Sequence, residues 1–197
     1  DSSTAMDERI AAFGLLTRRA NSGGLQIALE TFASLDAAVL RDKPQLGTAR
    51  TEFLRAVAIP PNLDALEQLT LEESPAARSE LALGVLLVMT QEANTPPAAR
   101  ERVNGLIDKA WKDGSRNAVL LRAIAMTDAD AFADRVLALR KSGDAAIREA
   151  AEFAAKELRL DERAKNAKTI ATMPFEEVLA KAQQPGGNAQ VGAKLFA

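Results

Sequence analysis

Between Leu81 and Met89 the chain carries nine residues without a charged, amide or hydroxyl side chain. That is about half of what an α-helix needs to cross a bilayer. The stretch lies inside a longer helical pattern that opens with Ser74-Pro75 and runs to about Glu92. Serine followed by proline is a capping residue ahead of the first helical position. A helix that is apolar nearly all round has to be covered on several sides. The rest of the chain must therefore wrap partner elements around one central helix. A length of 197 residues suits one domain or one continuous solenoid.

The partners read as helices. Alanine and leucine fill 65 of the 197 positions, and both are strong helix formers. The scarcity of aromatic residues, 4% of the chain, disfavours a sandwich or barrel. Caps and breakers divide the pattern into short pieces. Asp7 to Ala20 forms the first, closed by Asn21-Ser22-Gly23-Gly24; Leu25 to Leu40 forms the second, with a break near Ser34. Gln45 to Ile59 repeats Ala49, Phe53 and Val57 on one stripe, and Asn62 opens a short helix to Leu71. Thr95-Pro96 repeats the serine-proline start, with Ala99, Val103, Leu106 and Ala110 inward as far as Lys112. Asn117 to Met126 follows Gly114. Asp128 then caps a helix with Phe132, Val136 and Leu139 aligned, and Asp144 caps another with Ile147, Ala151, Ala154 and Leu158. No strand alternation competes, so the expected fold is all-α.

Short helices with short connections suggest hairpins stacked in series. No fixed period emerges, since the Arg50, Arg78, Arg100 and Arg148 positions are unevenly spaced. Asp144-x-x-Ile147-Arg148-x-x-Ala151 nevertheless resembles the second helix of a HEAT-type repeat, and Ser74-Pro75-x-Ala77-Arg78 and Pro97-x-Ala99-Arg100 resemble worn copies. The expectation is a HEAT-like solenoid over residues 1–160, with an irregular α-helical bundle as the alternative.

The missing residues narrow the chemistry. With no His and no Cys, the chain has no zinc site of the usual type, no haem attachment, no thiol nucleophile and no Ser-His-Asp triad. A net charge of −2 without a basic block argues against nucleic acid as a partner. Acidic pairs such as Glu72-Glu73, Asp161-Glu162 and Glu176-Glu177 point in different directions on a helix and read as caps or solvated faces. Asp128-Ala129-Asp130 lacks the glycine and closing glutamate of a calcium loop. Gly23-Gly24 and Gly186-Gly187 lack the context of a phosphate loop. Trp111, the only tryptophan, is either a partner-binding anchor or a half-buried packing residue.

After Leu160 the texture changes. Residues 161–187 read as a linker holding a short helix at Pro174-Phe175-Glu176-Glu177-Val178-Leu179. Gly187-Asn188 followed by Gly192, Leu195 and Phe196 then resembles the opening helix of c-type cytochrome domains, where CxxCH follows a few residues later. In that family the glycine and the aromatic, four apart on one face, pack the first helix against the last. The resemblance covers about ten residues (188–197), and the chain itself carries no CxxCH. It implies no cofactor in this chain and haem c only in a C-terminal extension. The chain begins at Asp1 rather than Met, as expected of a processed or excised segment.

The order of parts resembles multidomain bacterial proteins that join a dehydrogenase-like domain, helical repeats and a cytochrome c domain. The expectation is therefore a non-enzymatic scaffold whose partners are protein domains of the same polypeptide, in an extracytoplasmic or periplasmic location, with no membrane span. An enzyme of the HEAT-like DNA glycosylase type and a free-standing peptide-binding solenoid are the alternatives.

Overall fold

The computed structural model of the chain describes residues 24–33, 44–71, 76–165 and 173–175. It divides into two compact units, residues 1–158 and 159–197. The described residues are mostly helical and contain no strand. Among the described residues of the first unit eight helices follow one another: α1 Leu25–Ala33, α2 Pro44–Val57, α3 Leu63–Leu71, α4 Ala76–Gln91, α5 Pro97–Lys112, α6 Asn117–Thr127, α7 Ala133–Leu139 and α8 Ala145–Glu157. Single 3-10 turns at Pro60–Asn62, Gly114–Arg116 and Asp130–Phe132 lead into α3, α6 and α7.

The apolar stretch does what its pattern requires. Every residue from Leu81 to Met89 is buried, and α4 packs against α1, α2, α3, α5 and α6. Phe53, Leu54 and Val57 of α2, Leu66 of α3, Val103 of α5, and Leu120, Leu121 and Ile124 of α6 add to that core. The packing follows two rows. The even helices touch in series, α2 on α4, α4 on α6 and α6 on α8; α1, α3 and α5 do likewise.

Helices α2, α4 and α6 run in the same direction and in register. Glu80 of α4 lies within electrostatic reach of Arg50 of α2 and Arg122 of α6. One turn on, Gly84 faces Leu54 of α2 and Met126 of α6. At the far end Arg55 stands 3.9 Å from Glu92, and Gln91 donates to the Thr127 carbonyl at 3.4 Å. Helix α8 turns Ala150, Ala151, Ala154 and Ala155 inward, and small side chains let helix axes approach closely.

Two helix starts differ from the sequence expectation. α5 begins one residue later than Thr95-Pro96 suggests: Pro97 is the first helical residue, and Pro96 sits extended ahead of it with no side-chain cap. A residue before proline is excluded from helical conformation, so the second proline sets the boundary. Thr95 is buried instead, and its carbonyl accepts from Arg100. Asp128 does not start α7 either. It closes α6 in the left-handed region at φ 51°, a conformation that aspartate tolerates better than most residues. Asp144 does cap α8, its Oδ1 accepting from the backbone N–H groups of Ala146 and Ile147 at 2.8 and 3.2 Å.

Two arginines have a common local task. Arg100 and Arg148 each occupy the fourth position of a helix and donate back to a carbonyl ahead of it, Glu92 at 2.9 Å and Ser142 at 2.8 Å. Each of these arginines thus clamps the turn ahead of its helix. In the second unit, residues 160–165 are helical and Phe175 is exposed. The expected helix at Asp7 to Ala20, the Ser74-Pro75 start and the cytochrome-like residues Gly192, Leu195 and Phe196 lie outside the described residues.

Candidate functional site

The C-terminal turn of α5 carries Asp108, Trp111 and Lys112, and the chain then reverses sharply. Asp113 builds that reversal: its carboxylate accepts from the Ser115 backbone at 3.1 Å, the Ser115 hydroxyl at 2.6 Å and Arg116 Nε at 3.1 Å. The Ser115 hydroxyl is the main reason its carboxyl sits below the usual range. The turn delivers Asn117 to the start of α6, beside Trp111. From the other side α7 contributes Arg135, Ala138 and Leu139. Together these residues line an open groove of about 380 Å³.

Trp111 is the aromatic residue of its lining. The rings of Trp111 and Phe132 lie 6.1 Å apart and inclined by 38°. The Arg135 guanidinium stands 5.2 Å from the centre of the Trp111 ring, within the range of a cation–π contact. Asp108 steadies it from 3.7 Å, and both members of that pair are about half exposed. Trp111 is thus half-buried between two partners. Two polar atoms of the groove residues, Trp111 Nε1 and Asn117 Oδ1, are closed to solvent and have no hydrogen-bond partner. Most buried polar groups are paired, so one unpaired donor and one unpaired acceptor on two lining residues stand out.

A second cluster crosses the even helices. Arg50, Glu80, Arg122 and Glu157 come one each from α2, α4, α6 and α8 and alternate in sign. Burial pushes the Glu80 carboxyl up, with Arg122 and Arg50 opposing; burial likewise pulls Arg50 down, against Glu80 and Glu157. The four charges balance in sum. Alternation of this kind favours one register of the neighbouring helices. Among the described residues, no group of three or more His, Cys, Asp or Glu side chains could hold a metal ion, and no helix is long and apolar enough to cross a membrane.

Of the residues singled out from sequence, Trp111 is the one whose surroundings are visible. Its neighbours Asp108, Asn117, Phe132 and Arg135 were missed as a group, because they come from separate elements. Only the i, i+3 spacing of Asp108 and Trp111 on α5 was open to inspection. No protein-family model, curated protein or solved structure matches this chain.

Proposed function

We propose that residues 1–158 form a non-catalytic HEAT-like scaffold, a stack of helical hairpins that holds other protein domains. The observation that supports this reading is the serial packing of α2, α4, α6 and α8, the first three of them in register. In a stack each hairpin leans on its neighbours alone, and stability is close to a sum of local terms. Deleting α7 and α8 by ending the chain after Thr127 therefore leaves the earlier helices folded and cooperative, read by circular dichroism and urea unfolding. A shortened chain that loses its helical signal altogether would favour the irregular bundle.

The wider role rests on the ten-residue resemblance at 188–197. In this reading the scaffold joins a dehydrogenase-like domain to a c-type cytochrome domain outside the cytoplasm, and haem c belongs to the domain that the last helix opens. Intact-mass measurement on the natural protein, together with the absorbance of covalent haem, tests it. A natural polypeptide carrying no haem would end this part of the reading and leave the scaffold in place.

A further inference from the structure

We draw no further inference here: the strongest candidate, the open groove beside Trp111 between the C-terminal turn of α5, the start of α6 and helix α7, carries nothing because nothing in the structure shows what covers it.

Discussion

A Cβ added to Gly84 of α4 would lie 2.6 Å from Cε of Met126 in α6. The glycine thus marks a close approach between two neighbouring even helices, and Met126 fills the space that a side chain would take. The obstructing atom is the free end of a flexible side chain, while Leu54 and Thr127 close the remaining directions at 3.7 and 3.5 Å. Gly84→Ala gains about 1 kcal/mol of helix propensity and displaces only a methyl group, so the urea midpoint stays level or rises. Gly84→Leu overfills the same contact and costs about 1–3 kcal/mol. A loss as large for alanine as for leucine would show that Met126 cannot turn aside.

Arg135→Ala uncovers the indole of Trp111. Emission then moves to longer wavelength, and quenching by acrylamide becomes more efficient. The stability change stays below about 1 kcal/mol, because an exposed cation–π contact and an exposed ion pair are both weak. Unchanged emission would mean that Phe132 and the helix ends shield the ring without help from the guanidinium.

Leu86→Ala and Phe153→Ala separate the core from the surface. Leu86 is fully buried on α4, whereas Phe153 of α8 is 45% exposed despite its size. Truncating Leu86 costs about 2–5 kcal/mol; truncating Phe153 changes stability by about 0.5 kcal/mol or less. Chemical denaturation of the two variants side by side checks the ranking. A larger loss at Phe153 would reveal a partner surface covering it in the folded chain.

Glu80 gives the chain a pH dependence of definite sign. Burial raises its carboxyl above the ordinary value of 4.5, against Arg122 and Arg50. The folded chain therefore keeps a proton that the unfolded chain releases, and stability falls as pH rises from the ordinary value through the raised one. Glu80→Gln removes that loss. Its advantage over the parent chain grows across the same window and stays constant above it, as urea midpoints at a series of pH values will show. A glutamine variant less stable than the parent at neutral pH would mean that the arginines outweigh burial.

These sites differ in how far a sequence reveals them. Leu81 to Met89 announced a covered helix because burial on all sides leaves no polar face, a property local to one segment. The stripe Ala99, Val103, Leu106 and Ala110 on α5 is legible for the same reason and buried throughout; of Ile147, Ala151, Ala154 and Leu158, along α8 and its C-cap, all but the half-buried Ile147 are buried. The groove beside Trp111 and the Arg50–Glu80–Arg122–Glu157 cluster were not legible. Each joins side chains from different helices, and which residues meet depends on helix register, set by contacts such as Gly84 on Met126. The Thr95 boundary was misplaced by one residue because Pro96 and Pro97 both satisfy a start signal, and conformational exclusion before the second proline decides between them.

Asp128 and Asp144 show the same limit, and their substitution separates two roles that look identical in sequence. Both aspartates precede a helix, and an aspartate there reads as a cap. Asp144 accepts two backbone N–H groups at the start of α8. Asp144→Ala strands those donors and costs about 1 kcal/mol. Asp128 instead closes α6 at φ 51°, ψ 43°, where any side chain meets its own carbonyl and glycine does not. Asp128→Gly is therefore stabilising or neutral, while Asp128→Val, branched at Cβ, is destabilising by about 1–2 kcal/mol. Thermal unfolding of the three variants distinguishes the roles. If Asp128→Gly costs as much as Asp144→Ala, then Asp128 contributes through its carboxylate and not through the backbone angle it accepts.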